Sequence, residues 1–564
     1  MKYLFFLLVT PFLLVAQAPD IQWQKAYGGE RSDGGSTIIA TKTGGYLLVG
    51  SSNSDIGFEK SEDCIGEGNA SDIWIIKVND IGTIEWQQTI GGVSNEGVYS
   101  ALETRDGNYF IFGRSESPVS GDKTVPEYGY WLLKINTIGD IIWQRSFVDI
   151  NSPTWPFEDL FQLTAVIETT DNGILFGGKA KSQPCCTFEE IPNRMAPTTN
   201  SKSNSSLDPE CSGTDILLVK LDSSGNYLWE KVIKANYHDE LKTINETSDG
   251  GFIIGAISNS TVSFDKTESS YIVADVNDCE LSGYNNDFWI LKTNNIGDIE
   301  WQKTIGGNNV DYLRSLHVNS DGYTLLGQSD STISGDKTEN NIHLTGDIWK
   351  VNLDLDGNIV SQNIIPLGSD YYNFIYHTKF VFNQNQGIYI DGIKAYIDEI
   401  GNVVDSIYEL SKIDFEGNIL WNRTINTIPN TSGIADLTFA PDGGVMALFV
   451  SESIVGGDKT EFCRGETDHW LVKFESETLA NATNQKVSFS AFPNPTSNEV
   501  TITFNEEKEK SILKLYNVIG QLVSSNSFSN LQSISYPIVG EKGVYFLSVE
   551  TDNSEKQTIK IIKK

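Results

Sequence analysis

DIWIIKVNDIGTIEWQQTIGG (Asp72–Gly92) decides the fold, because the chain repeats it as YWLLKINTIGDIIWQRS (Tyr130–Ser146) and DFWILKTNNIGDIEWQKTIGG (Asp287–Gly307). Each copy has an aromatic anchor in a short apolar run, a Lys three residues on, and a Gly turn. A Trp then follows the anchor by twelve residues: Trp74/Trp86, Trp131/Trp143, Trp289/Trp301. The same interval joins Leu217 to Trp229 and Glu409 to Trp421, while Trp349 is followed by Ser361. Two apolar runs around such a turn predict a β-hairpin. A second hairpin precedes each copy, around TGGY (Thr43–Tyr46), RDGN (Arg105–Asn108), SDGGF (Ser248–Phe252), SDGY (Ser320–Tyr323) and PDGGV (Pro441–Val445). Gly supplies the positive φ these turns need. Four strands per unit, lettered a to d, recurring at long period predict a β-propeller.

There are seven such units. The last is anchored on Trp470-Leu471-Val472-Lys473, but its expected Trp position is Ala482 in a polar stretch, so it lacks strand d. The N-terminal run Ile21-Gln22-Trp23-Gln24-Lys25 is an orphan strand of that type. The fold class expected is therefore all-β: a seven-bladed β-propeller of four-stranded blades closed by the N-terminal strand, then a small C-terminal β-sandwich. Closure matters because an open ring leaves strand edges unpaired.

Working outward, Lys2, the apolar run Leu4–Val15 and the small residues Ala16-Gln17-Ala18 predict a signal peptide at 1–18. No later stretch is apolar over ~20 residues, so no transmembrane segment is expected. The propeller is expected over 19–475, a linker over 476–486 and the last domain over 487–564. Net charge is −34, which argues against a nucleic-acid partner.

Loop variation falls on one face. The b–c loops are long and repeat SGDKT (Ser120–Thr124), DKTES (Asp265–Ser269), SGDKTEN (Ser334–Asn340) and GGDKTEF (Gly456–Phe462). All six Cys lie in these loops. Cys64 and Cys463 fall in blades that adjoin after closure and form the expected disulfide. Cys211 with Cys279, or Cys185 or Cys186 with Cys211, stay open, because connectivity does not follow from sequence.

An acidic residue recurs before strand a: Asp33, Glu96, Asp159, Asp239, Asp311 and Asp370. Symmetry places these around the channel mouth, where they either brace the blades or hold Ca²⁺, the one cofactor considered; a calcium site needs 6–8 converging oxygens. His238, His317, His343, His377 and His469 fit no triad or metal spacing. No catalytic, cofactor-binding or metal residue is assigned. Trp155, Phe157, Tyr237, Tyr371 and Tyr372, in the d–a loops, are the candidate ligand-face aromatics, since exposed rings bind sugar faces or proteins.

At the C-terminus stand Phe492-Pro493-Asn494-Pro495-Thr496, then Leu515-Tyr516-Asn517-Val518-Ile519-Gly520-Gln521, then Gly543-Val544-Tyr545-Phe546 and a basic end, Lys560 to Lys564. These blocks resemble the type A C-terminal sorting domain of Bacteroidetes type IX secretion cargo. Pro493, Asn494, Pro495, Tyr516, Gly520, Gly543 and Tyr545 carry the resemblance. It implies export through the outer membrane, the secretion machinery as a partner, and surface attachment or release. The upstream region is similar to repeats of Bacteroidetes surface proteins.

The function expected is a secreted or cell-surface, non-enzymatic binding or adhesion propeller with a glycan or protein ligand. A glycan-active hydrolase or lyase using the loop-rich face, and a structural matrix component, are the alternatives.

Overall fold

The computed structural model describes residues 18–476 and 489–564, apart from 127–128, 148–160, 182–212, 272–285, 344–345, 368–373, 377–378, 384–386, 398–402, 428–432, 518–521 and 552–555. The signal peptide and linker expectations thus fall almost wholly outside the described residues. Contact clustering separates a unit spanning 18–476 from one containing 477–564. Among the described residues every regular element is a strand.

The first unit is built of antiparallel sheets in chain order. Sheet one comprises Asp33–Ala40, Tyr46–Ser52, Asp72–Val78 and Ile84–Ile90; sheet two Glu96–Glu103, Tyr109–Ser115, Gly129–Ile135 and Ile141–Phe147. Sheet three runs Phe161–Glu168, Ile174–Lys181, Thr214–Leu221 and Tyr227–Ile233. Sheet four runs Asp239–Glu246, Phe252–Ser258, Asp287–Thr293 and Ile299–Ile305; sheet five Asp311–Val318, Gly322–Ser329, Asp347–Asp354 and Ile359–Ile365. Sheet seven joins Gly433–Phe439, Val445–Ser451 and Asp468–Phe474 to the N-terminal strand Ile21–Tyr27, which pairs antiparallel with Asp468–Phe474.

Sheet six departs from the expected four strands. Its first position is split into Phe374–Tyr376 and Phe380–Asn383, both paired with Gly387–Ile397, followed by Val403–Ile413 and Ile419–Ile425. Only residues 398–402 separate its second and third strands in place of a long b–c loop, so that hairpin runs on to eleven residues per strand.

Position in the sheet sets the burial pattern. Third strands such as Asp72–Val78, Asp287–Thr293 and Asp468–Phe474 are buried along their whole length. They are covered on both faces by neighbouring sheets, which explains their unbroken apolar runs. Fourth strands such as Ile84–Ile90 and Ile299–Ile305 are half-buried over most of their length, with one exposed residue near the start and two buried ones at the end. The core lies between sheets: Leu47, Val49, Ile73 and Ile75 of sheet one pack with Tyr109, Ile111, Trp131 and Leu133 of sheet two. Tyr27, Met446, Leu448 and Leu471 of sheet seven pack with Leu48, Trp74 and Ile76 of sheet one. First strands touch in order from sheet one to sheet six, Phe380–Asn383 touches Gly433–Phe439, and Gly433–Phe439 touches Asp33–Ala40.

The twelve-residue spacing has a second part. The residue after each outer Trp is Gln in five sheets, and its Oε1 accepts the anchor indole N–H: Trp74 to Gln87 at 3.0 Å, Trp131 to Gln144 at 3.1 Å, Trp289 to Gln302 at 3.0 Å, Trp349 to Gln362 at 3.0 Å and Trp470 to Gln24 at 3.0 Å. Ser361 therefore replaces a Trp without losing this lock. Gln24 comes from the other end of the chain and makes the same bonds to Asp458 and Thr460 that Gln144 makes to Asp122 and Thr124.

The second unit has Phe489–Phe492, Glu499–Asn517, Leu522–Pro537, Gly543–Thr551 and Lys556–Lys563 in one sheet. Where a small β-sandwich was expected, five strands join in one hydrogen-bonded sheet. Glu499–Asn517 is continuous for nineteen residues and pairs with three partners.

Candidate functional site

The recurrent acids open the first strands, and those described are buried rather than set around an open mouth. Asp33, Glu96, Asp239 and Asp311 are 0–1% exposed. One carboxylate oxygen of Asp33 accepts from Gly29 N (2.7 Å) and Ser54 Oγ (3.0 Å); in Asp311 the partners are Gly307 N (2.7 Å) and Ser331 Oγ (2.9 Å). Asp159 and Asp370 lie outside the described residues. The expectation of a ring at the channel mouth is corrected accordingly: these groups tie the end of one sheet to the start of the next.

A second buried acid opens several third strands and faces the first. Asp72 and Glu96 each have their pKa raised by burial, and the charge of Asp311 adds to the burial that raises the pKa of Asp287. Side chains at Gly28, Gly91 and Gly306 would overlap the carboxylates of Asp468, Asp72 and Asp287, so the Gly doublets are required by close approach. A Lys of the b–c loop supplies an internal cation in sheets one, four, five and seven. Lys60, Lys266, Lys337 and Lys459 are each 1% exposed and lie 5.1, 4.4, 5.7 and 5.7 Å from the ring centres of Trp74, Trp289, Trp349 and Trp470. Burial pushes Asp287 up to about 8, Asp239 to about 7 and Asp311 to about 6, and pulls Lys266 and Lys337 down to about 8. Among the described residues no three His, Cys, Asp or Glu side chains converge as a metal site.

The expected Cys64–Cys463 disulfide is not formed; both thiols are free. Each turns onto its own sheet, Cys64 Sγ to Ser52 O (3.0 Å) and Cys463 Sγ to Ser451 O (3.4 Å). Ser270 Oγ makes the equivalent bond to Ser258 O (2.9 Å), so the position needs a small donor and not a bridge. Replacing Cys64 and Cys463 together by Ser is expected to leave the folding free energy within about 0.5 kcal/mol of the parent and the thermal midpoint nearly unmoved, with or without reductant. A reductant-dependent midpoint in the parent that disappears in the variant would show that the pair does bridge. Cys185, Cys186, Cys211 and Cys279 lie outside the described residues.

Of the candidate aromatics, Tyr237 is half-buried and its backbone braces the sheet three–four junction through Ser260 and Thr214. Trp155, Phe157, Tyr371 and Tyr372 lie outside the described residues. Exposed apolar side chains instead crown the b–c loops: Ile56, Val119, Val262, Ile333 and Val455 are 54–61% exposed. A cavity of about 520 Å³ between sheets four and five is lined by Glu268, Tyr271, Lys303, Asp336 and Asn358 among others. Sequence reading passed over Tyr271, which stands outside every repeated phrase.

In the second unit the sorting blocks meet. The Asn494 side chain donates to Lys560 O (2.6 Å) and accepts from Ile562 N (2.9 Å). Thr496 exchanges backbone hydrogen bonds with Ile562 and Lys564. Pro493 and Pro495 flank this clamp, both preceded by cis peptide bonds. Tyr516 pairs with Phe546, and Gly543 with Lys563. Tyr545 is buried and donates to Glu541 O (2.7 Å). Gly520 lies outside the described residues. Asn494→Ala breaks both bonds and leaves a backbone N–H and C=O without that partner. It is expected to cost about 2 kcal/mol and to speed protease removal of the basic end; cleavage at the parent rate would sink this.

A family model for the secretion system C-terminal sorting domain (Por_Secre_tail) matches residues 490–564. Comparison with curated proteins finds no match. Similar solved structures include a tryptophan-to-alanine mutant and a cobalt-substituted form of Synechocystis apocarotenoid oxygenase, each at 10% identity and TM-score 0.35. An ACO/RPE65 chimera matches with the same identity and TM-score, and all three cover 81% of this chain and 95% of the other. Because these are oxygenase structures, one of them metal-substituted, the expectations of a non-enzymatic binding or adhesion propeller and of a chain without a cofactor are withdrawn. At that TM-score the likeness carries no reaction and no metal over to this chain.

Proposed function

Because this chain is a type IX secretion cargo, exported to the cell surface or the extracellular space, we propose that it carries outside a seven-bladed β-propeller, residues 19–475, closed by its own N-terminal strand, and that the propeller meets a glycan there. A signal peptide at 1–18 takes the chain across the inner membrane, and a linker at 476–486 joins the propeller to a sorting domain at 487–564. The observation that carries the reading is the pairing of Ile21–Tyr27 with Asp468–Phe474, locked by Gln24 on Trp470. It supports a closed ring in which Asp468–Phe474 is not left as an unpaired edge, which suits a protein working outside the cell.

Ser32 and Thr467 bridge sheets one and seven, with Asp33 N donating to Thr467 O at 2.9 Å. In a cell with type IX secretion, the exported Ser32→Cys/Thr467→Cys chain is expected to oxidise to a faster-migrating, reducible form. Deleting residues 490–564 should keep the chain inside. Failure of the two Cys to join, or export without residues 490–564, overturns the reading.

A further inference from the structure

The cavity between sheets four and five sits where two copies of the repeat meet, and comparing copies separates what is architectural from what is local. Glu268 Oε2 accepts from Thr304 N at 2.7 Å, as Glu62 Oε2 does from Thr89 N at 2.5 Å in sheet one. Asp336 Oδ2 accepts from Gly306 N at 3.2 Å, as Asp122 Oδ2 does from Gly91 N at 3.2 Å. Gly335 repeats Gly121, with φ of 54° and 56°. These groups brace both junctions alike and by themselves indicate no ligand.

Two residues remain after that subtraction. Tyr271 stands where the first junction has Ile65; each lies against the positive-φ Gly of the next loop, Tyr271 on Gly335 and Ile65 on Gly121. Lys303 stands where it has Gln88. The Tyr271 ring is 49% exposed, its hydroxyl lies 3.1 Å from Asp336 Oδ2, and its backbone N donates to the buried Asp287 at 2.6 Å. The ring is thus pinned at both ends with its body left open to the cavity. Lys303 lies 3.4 Å from Glu268 and Asp336 adds a second carboxylate, so the lining does not favour an anionic ligand.

We propose that this cavity is a pyranose subsite, taking one sugar ring of an extracellular polysaccharide against Tyr271. A sugar offers an apolar ring face for the aromatic plate and hydroxyls for Asp336, Lys303 and Asn358. The volume of about 520 Å³ falls within the roughly 300–1,000 Å³ usual for small-ligand sites. The proposal rests on the glycan reading above and narrows it to one place.

The test is affinity electrophoresis of the full chain through gels containing β-glucan, α-glucan, xylan, mannan or soluble chitin oligomers. At least one polymer is expected to retard the parent, and Tyr271→Ala to weaken that retardation at least tenfold. Tyr271→Phe, which keeps the plate and loses the hydroxyl, should weaken it several-fold; Ile65→Ala, at the equivalent junction, should leave it unchanged. Circular dichroism checks that each variant folds, and if Tyr271→Ala does not, Lys303→Gln and Tyr271→Phe carry the test. Retardation that survives these variants overturns the subsite while leaving the glycan reading standing. No retardation by any polymer overturns both.

Discussion

Deleting Ile21–Tyr27 is expected to cost on the order of 4–6 kcal/mol and to unfold sheet seven first. The strand buries Ala26 and Tyr27, and its loss uncovers Asp468–Phe474, a third strand buried along its length. Burial of one large side chain contributes about 1.5–3 kcal/mol. Losing Gln24 also strands the Trp470 indole N–H and the Thr460 N–H, at about 1–3 kcal/mol for each group that stays buried. Limited proteolysis should cut first within 433–474 of the deleted chain, and a synthetic peptide of residues 19–28 should restore protection. The point variant Gln24→Ala should lower the thermal midpoint about as much as Gln362→Ala, since both Gln residues do the same work. A deletion that leaves the midpoint unchanged would mean that the chain's first strand is decorative.

The second large effect is on pH. Asp287 and Asp239 hold folded pKa values of about 8 and about 7, raised by burial from the ordinary 3.8. Their contribution to stability is fully present below the unfolded value and is lost as pH rises through the folded values. In that range the folded chain keeps protons that the unfolded chain has released, costing about 1.4 kcal/mol per pH unit per group. His469 works in the opposite sense. Its folded pKa is lowered by burial to about 3 from 6.5, so its contribution is lost as pH falls below 6.5. The unmixed window is therefore about 6.5 to 8, where the thermal midpoint should fall steadily as pH rises. Above 8 the lowered pKa values of Lys266 and Lys337 add an opposing gain. Asp287→Asn should flatten the slope between 6.5 and 8, and so gain on the parent as pH rises. An equal slope in both chains would show that Asp287 is already ionised in the fold.

Much of the first unit was legible before any coordinates. Hairpins, anchors and the orphan N-terminal strand follow from local pattern, because strand alternation and Gly turns are decided within a few residues. Sheet six was misread because its unit has only residues 398–402 where the others have a long b–c loop, which lets one hairpin lengthen. The sorting blocks were equally plain, since Pro493-Asn494-Pro495 and the basic end are short contiguous words. Their meeting through Asn494 and Ile562 was not, because a side-chain clamp across the sheet leaves no periodic trace.

By itself, the sequence determined strand content, the repeated two-hairpin unit and the export signal, all of which rest on neighbours along the chain. Only the tertiary structure decided that the recurrent acids are buried between sheets beside Lys60, Lys266 and Lys337, that Cys64 and Cys463 stay apart, and that Tyr271 opens into a cavity. The reason is burial: a carboxylate, a thiol or a phenol reads the same in sequence whether it faces water or a neighbouring sheet. Its charge, reactivity and partners are set by what the fold lays against it.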